Sequence, residues 1–154
     1  MCFSASADLA AGIVVSGVGV DALKRANTPR QLPLATLPLV FGVHQLVEAF
    51  VWWGLAGKVP AALGDRATWV YLAIAFLLPA WVPLAVRGVE PAGRRRLLMS
   101  SLAAVGVLVA GILLWAIIRG PISAAVDGHH IAYSVQIPMG ITLAALYVLA
   151  TCGT

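Results

Sequence analysis

The stretch over residues 97–118 reads LLMSSLAAVGVLVAGILLWAII and contains no charged residue. Its length matches the roughly 20 apolar residues that an α-helix needs to cross the hydrocarbon core of a bilayer. Four other stretches of the chain are similarly long and apolar. The predicted membrane-spanning helices therefore cover residues 6–23, 34–55, 69–86, 97–118 and 131–152.

The composition supports this interpretation for the whole chain. Only 10% of the 154 residues are charged and 61% are hydrophobic, with a mean hydropathy of +0.96. Soluble domains contain about 25% charged residues. Segments that cross lipid must form all their backbone hydrogen bonds within the protein, as an α-helix does. The sequence therefore predicts an all-α integral membrane bundle of about five transmembrane helices. We expect residues 1–154 to form a single transmembrane domain, since every connection is short.

The two ends of the chain lead to two further expectations. No Lys or Arg precedes the first apolar stretch, so it lacks the basic segment of a cleavable signal peptide. The last predicted helix ends at residue 152, no basic anchor follows it up to Thr154, and we expect the natural chain to continue. Within the helices, Gly12 with Ser16 and Gly106 with Ala110 have the four-residue spacing of small residues that permits close helix contact.

The basic residues predict the orientation in the membrane. Most of them fall between the first and second or the third and fourth predicted helices: Lys24, Arg25, Arg30, Arg87, Arg94, Arg95 and Arg96. Cytoplasmic loops hold an excess of Lys and Arg, so the N-terminus is predicted outside the cell. The net charge of +4 comes mainly from this asymmetry, which favours the lipid bilayer as partner and argues against nucleic acid.

A few polar residues interrupt the apolar stretches. His44 and Glu48 are four residues apart on the second predicted helix and therefore share a face. A carboxylate at this depth is costly unless it is paired, hydrated or protonated, which makes Glu48 the strongest candidate for a functional residue. On the fifth predicted helix, the spacing of His129, Tyr133 and Gln136 is that of a single helical face. Glu48, Tyr133 and Gln136 are the predicted cofactor-binding residues.

Several of these side chains are typical metal ligands. Thiolate, imidazole and carboxylate groups together suit copper, zinc or iron, including haem iron. The predicted metal-binding residues are Cys2, His44, Glu48, His129 and His130. The first predicted helix brings Asp8 to the same end of the bundle, where Ser4 or Ser6 caps the helix. We therefore expect a polar site near the extracytoplasmic face, built from the beginning, middle and end of the chain.

Three segments of the sequence stand out as motifs. They are Met1-Cys2-Phe3-Ser4-Ala5; the block containing Leu32-Pro33, Phe41-Gly42, Gln45-Leu46-Val47-Glu48 and Val51-Trp52; and Gly128-His129-His130-Ile131-Ala132-Tyr133. Together they resemble a family of uncharacterised bacterial multi-pass membrane proteins that begin with Met-Cys-Phe-Ser-Ala. The resemblance covers the whole chain and implies a bacterial inner (plasma) membrane protein, but it implies no activity. At position 44 the family pattern has glutamine, so His44 departs from it.

Three functions remain open from the sequence. The first is a bundle that binds a metal ion or haem near its outer face for redox chemistry, and the polar set favours it. The second is an accessory subunit of a larger membrane complex or a homo-oligomer, which packs through its small-residue faces. The third is a small transporter in which Glu48 carries a proton or cation. The sequence does not decide whether the protein is an enzyme.

Overall fold

The computed structural model describes residues 4–154 and confirms the all-α membrane bundle. Four helical segments in this range are long and apolar enough to cross a membrane. They are α1 (Ala5–Arg25), α2 (Leu32–Ala35) together with α3 (Leu37–Leu55), α4 (Ala61–Val89) and α5 (Arg94–Arg119). A hairpin of β1 (Ile122–Asp127) and β2 (His130–Val135) follows, and then the shorter apolar helix α6 (Gly140–Cys152).

Close backbone contacts join the helices in antiparallel pairs. Gly42 of α3 lies against the backbone and hydroxyl of Ser16 in α1, and Gly106 of α5 lies against the carbonyl of Pro79 in α4. A Cβ atom at either glycine would collide with these atoms. The predicted close helix contacts are therefore confirmed at one residue of each small-residue pair: at Ser16 in the pair Gly12 and Ser16, and at Gly106 in the pair Gly106 and Ala110. Small residues let helices approach closely where lipid gives no hydrophobic drive for association.

The antiparallel order gives the bundle two different ends. At one end α1 begins, α3 ends, α4 begins and α5 ends, and the β1–β2 hairpin lies there; we call it the hairpin end. At the other end α1 ends, α4 ends and α5 begins, and most of the basic residues lie there; we call it the basic end. Arg25 and Asp21 form an ion pair at the basic end, with a distance of 2.7 Å between Nε and Oδ2.

The fifth predicted helix, residues 131–152, is wrong in its first half. Residues 130–135 form β2, which pairs antiparallel with β1 from Ile122 opposite Val135 to Asp127 opposite His130. The two-residue turn consists of Gly128 and His129, and Gly128 has the positive φ of 59° that favours glycine. Pro138 then lacks a backbone donor and Met139 is left-handed at φ 51°, so the helix begins only at Gly140.

The other predicted spans differ from the structure only near their ends. The third predicted helix, residues 69–86, begins earlier in the structure, at Ala61 of α4. The helix includes the charged residues Asp65 and Arg66, whereas the apolar stretch of the sequence starts only after them. The second, residues 34–55, is interrupted at Thr36, which separates α2 from α3 and whose hydroxyl donates to the carbonyl of Pro33 at 2.8 Å. Pro38 follows at the start of α3, where its missing N–H costs no helical bond.

Candidate functional site

Glu48 is the centre of the candidate site. Its side chain is only 1% exposed, and it lies in α3 about 10 Å from the helix end at 1.5 Å per residue. The hydroxyl of Tyr133 in β2 donates to Oε1 of Glu48 at 3.3 Å. A membrane-spanning helix and the hairpin thus meet at a buried carboxylate. Burial of such a group is costly unless hydrogen bonds, charges or protonation compensate for the lost water.

The alternation of β2 explains why Tyr133 reaches Glu48. Ile131, Tyr133 and Val135 face the bundle, whereas His130, Ala132 and Ser134 face outward and are exposed. Ile131 is 7% exposed and packs with Val51 of α3 and Ala67 of α4. These apolar contacts anchor the strand on the helices. Tyr133, two residues further along the same face, is therefore held over the carboxylate.

Three rings form a stack beside this contact. The rings of His44 in α3 and Tyr71 in α4 are stacked with centroids 3.9 Å apart and an interplanar angle of 23°. Tyr71 also stacks on Tyr133, with centroids 4.6 Å apart and an angle of 15°. His44 is one helical turn before Glu48 on the same face. His44, Glu48, Tyr71 and Tyr133 therefore form one polar cluster, which we call the Glu48 cluster, from three elements of the fold.

The imidazole of His44 has an unused hydrogen-bonding atom. Within residues 4–154, Nε2 of His44 is buried and has no hydrogen-bond partner. A neutral imidazole has one donor nitrogen and one acceptor nitrogen, and either is normally satisfied when buried. An orphaned ring nitrogen one turn from a buried carboxylate is the arrangement that a cation or a proton would complete.

A cavity of about 380 Å³ lies next to the cluster at the hairpin end. It is enclosed by the end of α3, the first turns of α4 and strand β1, and Asp65, Arg66 and Thr68 supply its polar groups. Val51 lines this cavity and belongs, with Ala67 and Ile131, to the apolar group against which Tyr133 packs. The cavity is therefore adjacent to the Glu48 cluster.

The other predicted ligands lie elsewhere. His129 occupies the hairpin turn and is exposed, and His130 follows it on the outward face of β2, opposite to Tyr133. Nε2 of His130 is 3.8 Å from Oδ2 of Asp127 across the turn. Gln136 is exposed in the segment after β2, so the predicted helical face through His129, Tyr133 and Gln136 does not exist. Cys2 lies outside the described residues.

The start of α1 agrees partly with the prediction. Ser4 is the N-cap of α1, and its hydroxyl accepts a hydrogen bond from the backbone N–H of Ala7 at 3.3 Å. Asp8 is in the first turn of α1 at this end of the bundle, and it is only 2% exposed. Its burial follows from the close packing of α1 on α3, which also buries Gly12. The sequence pattern of a capped helix start does not indicate which face of the helix packs against a neighbouring helix.

Two observations bear on metal binding. Within residues 4–154, no group of three or more His, Cys, Asp and Glu side chains is placed to hold a metal ion. The Glu48 cluster brings together one carboxylate, one imidazole and two phenols, so its donor set relies on tyrosine as well. Tyr71 was missed by the sequence interpretation. The sequence signal for it was a tyrosine hydroxyl, a polar group, within the third apolar stretch.

Comparisons with known proteins give one match. No curated protein and no solved structure matches the chain significantly. One family model matches residues 1–154, and its description is a family of unknown function, DUF6629. This agrees with the expectation of an uncharacterised family and adds no activity to it. The structure of this chain is a multi-pass membrane bundle with a buried Glu48 cluster. The chain belongs to the DUF6629 family.

Proposed function

We propose that this membrane protein binds one divalent transition-metal ion at the Glu48 cluster. The observation that carries the proposal is the orphaned Nε2 of His44 one helical turn from the buried carboxylate of Glu48. Imidazole nitrogen and carboxylate oxygen are both ligands of transition metals such as zinc, and residues i and i+4 lie on one face of a helix. The phenol of Tyr133, already 3.3 Å from Glu48, supplies a third donor.

The proposal is for a single ion rather than haem. The rings of His44, Tyr71 and Tyr133 lie at stacking distances of 3.9 and 4.6 Å, which leaves no slot between them for a porphyrin. Cys2 belongs to the proposal as the thiolate predicted from the sequence. The exposed His129 and His130 are not needed for it. Binding by Tyr133 would deprotonate its hydroxyl and replace the hydrogen bond to Glu48 with a shared ion.

The membrane context of the proposal follows from the charge distribution. We place the N-terminus and the hairpin end on the extracytoplasmic side of a bacterial inner membrane, because the basic residues cluster at the opposite end. The cavity beside Val51 would then give ions access to the cluster from outside the cell. Cysteines introduced at Lys58 and Arg30, in chains whose Cys2 and Cys152 are replaced by alanine, test this orientation when they are labelled in intact cells with an impermeant maleimide: Lys58→Cys should react and Arg30→Cys should not.

Metal analysis of the purified full chain tests the site. The protein is loaded separately with Zn²⁺, Cu²⁺ and Fe²⁺ in detergent, desalted and analysed by inductively coupled plasma mass spectrometry. We expect one ion per chain, with affinity reduced by at least about 10- to 100-fold in Glu48→Gln and His44→Gln. Cys2→Ala measures the thiolate contribution. Glu90→Gln, a carboxylate at the basic end, is the matched control and should bind as the wild type does.

A second candidate function has its own support. A buried carboxylate that receives a hydrogen bond from a neutral tyrosine is well suited to hold and release a proton, and intramembrane carboxylates often mark proton pathways. Reconstituted liposomes with an internal pH dye distinguish the two candidates. Proton flux in metal-free protein that disappears in Glu48→Gln supports the second candidate. A wild type that binds no more metal than Glu48→Gln rejects the first.

A further inference from the structure

A second cavity, of about 540 Å³, lies at the basic end of the bundle. One wall is the loop after α1, with Thr28, Arg30 and Gln31, and the other is the end of α4, with Gly88, Glu90 and Pro91. The walls touch near Gly88, where an added Cβ would lie 2.9 Å from the carbonyl oxygen of Arg30. Gly88 therefore lets the loop approach the helix closely enough to form the cavity.

The loop wall is ordered by its own hydrogen bonds. Oε1 of Gln31 accepts the backbone N–H groups of Asn27 and Thr28, at 2.9 and 3.2 Å. This use of its carbonyl oxygen orients the amide and leaves its NH₂ group as a donor. Arg30, in the same loop, is exposed at the cavity. A donor amide and a guanidinium thus lie on one wall.

The cationic charge at this end is only partly neutralised. The carboxylates of Asp21 and Glu90 pair with Arg25 and Arg95, at 2.7 and 3.1 Å. Nε of Arg87 donates to the hydroxyl of Ser100 at 2.7 Å. In the part of the chain that the structure describes, three arginines here make no side-chain ion pair or hydrogen bond: Arg30, Arg94 and Arg96.

Two of these arginines lie in the first turn of α5, next to the residue that pairs with Glu90. Glu90 lines the cavity, and its ion pair with Arg95 brings the first turn of α5 to the same wall. Arg94 and Arg96 flank Arg95 in that turn. Glu90 is compensated by Arg95, so the cavity and its surroundings retain the charge of Arg30, Arg94 and Arg96. A site of this kind attracts a divalent or monovalent oxyanion, and guanidinium groups match the geometry of a phosphate.

The position of the cavity along the bundle indicates where the phosphate comes from. Trp81 is 42% exposed, and its indole N–H donates to the carbonyl of Pro33 at 3.2 Å. Tryptophans of membrane helices lie at the level of the lipid headgroups. Pro33 follows Arg30 and Gln31 by only a few residues, so the cavity lies at the headgroup level beside the bundle. A phosphate at this depth belongs to a membrane lipid.

We propose that this cavity binds the phosphate of an anionic membrane lipid, with Arg30 as the direct ligand and Arg94 and Arg96 as supporting charges. The inference is independent of the Glu48 cluster, which lies at the other end of the bundle. It is more specific than the general excess of basic residues in cytoplasmic loops, because it requires the three unpartnered arginines to act at one cavity rather than each alone.

The experiment uses the full chain in nanodiscs of phosphatidylcholine with a minor fraction of phosphatidylglycerol. Native mass spectrometry measures the lipid retained after the nanodisc is removed. We expect the wild type to retain phosphatidylglycerol preferentially. Arg30→Gln should weaken retention about fivefold, and Arg94→Gln with Arg96→Gln should add a similar factor for each charge. Lys58→Gln with Arg66→Gln removes charge at the hairpin end and is the matched control.

Three outcomes overturn the proposal. The first is equal retention of phosphatidylglycerol by the arginine variants and the control variant. The second is equal retention of the two lipids by the wild type. The third is displacement of the lipid by inorganic phosphate, which would show that the site recognises free phosphate. A salt titration of the wild type gives an answer that requires no variant, because exposed charge contacts weaken as ionic strength rises, whereas apolar retention does not.

Discussion

The two ends of this bundle contain polar groups that are treated in opposite ways. At the hairpin end, Glu48 is 1% exposed and is bonded by Tyr133 across elements of the fold. At the basic end, the ion-paired side chains of Arg25 and Arg95 remain 78% and 76% exposed. A chain with few charged residues therefore buries some of them at one end and leaves most of them in water or headgroups at the other.

This difference separates two kinds of energetic role. A polar group removed from solvent must keep its hydrogen bonds, so its loss changes the stability of the fold. An exposed charge gains little from its pair and mainly shapes the electrostatic field at the surface. Variants at the hairpin end should therefore change stability and internal binding together. Variants at the basic end should change orientation and surface binding with little effect on stability.

The largest expected effect concerns helix packing at the hairpin end. A Cβ at Gly54 of α3 would lie 2.6 Å from the Cα of Gly64 in α4, which is backbone and cannot rotate away. We expect Gly54→Val to lower the free energy of unfolding by about 3 kcal/mol, as overpacking does. Thermal unfolding in detergent measures this. Gly17→Val in α1, where nothing lies within 4 Å, is the control. Equal losses would show that the α3–α4 contact does not limit stability.

The next effect compares one polar group from each end. Tyr133→Phe removes the hydroxyl that donates to buried Glu48, and we expect a loss of about 1 kcal/mol in the free energy of unfolding. Asp21→Asn breaks an exposed ion pair at the basic end and should cost less than about 0.5 kcal/mol. Denaturant titrations of both variants measure the difference. A larger loss for Asp21→Asn would reverse the assignment of structural roles to the two ends.

The sequence predicted the bundle well because its signal is hydropathy over a long window. The prediction of four spans depends only on the composition of each helix. The prediction of the small-residue contacts at Gly12, Ser16 and Gly106 depends only on spacing within one helix. The hairpin was missed because residues 131–152 contain no charged residue and are apolar on average, and hydropathy averaged over this length does not register a local turn. The signal was present in Gly128, a glycine between two segments that contain Val126, Ile131, Tyr133 and Val135.

The candidate site was predictable only in part. His44 and Glu48 are polar residues within an apolar stretch, and their spacing alone places them on one face. Tyr133 was predicted from a helical pattern, but it reaches Glu48 through the alternation of β2. Tyr71 could not be found in this way, because its stacking on His44 depends on the register of α4 against α3. That register is a tertiary property, which the close contact of Gly54 with Gly64 accompanies.

A smaller effect tests whether the hairpin turn holds Tyr133 in place. Gly128 has φ 59°, where a side chain is disfavoured, so Gly128→Ala should destabilise the hairpin by about 1 kcal/mol. Hydrogen exchange followed by mass spectrometry should show faster exchange in peptides covering β1 and β2, with α3 unchanged. Ser134→Ala, on the outward face of β2, is the control. Unchanged exchange in Gly128→Ala would mean that packing of Ile131 alone determines the position of the strand.

The smallest expected effect separates the exposed histidines from the buried one. His130 is 60% exposed in its side chain and 3.8 Å from an exposed aspartate, and His129 is in the turn. Replacing both by alanine should change the free energy of unfolding by less than about 0.5 kcal/mol and leave metal stoichiometry unchanged. His44→Gln should lower metal affinity because its orphaned Nε2 lies one turn from Glu48. If the double variant loses the ion and His44→Gln keeps it, the metal is held at the tip of the hairpin. The buried cluster at that end would then have a structural role alone, because its hydrogen bond and ring stacking are sufficient to fix the hairpin on the bundle.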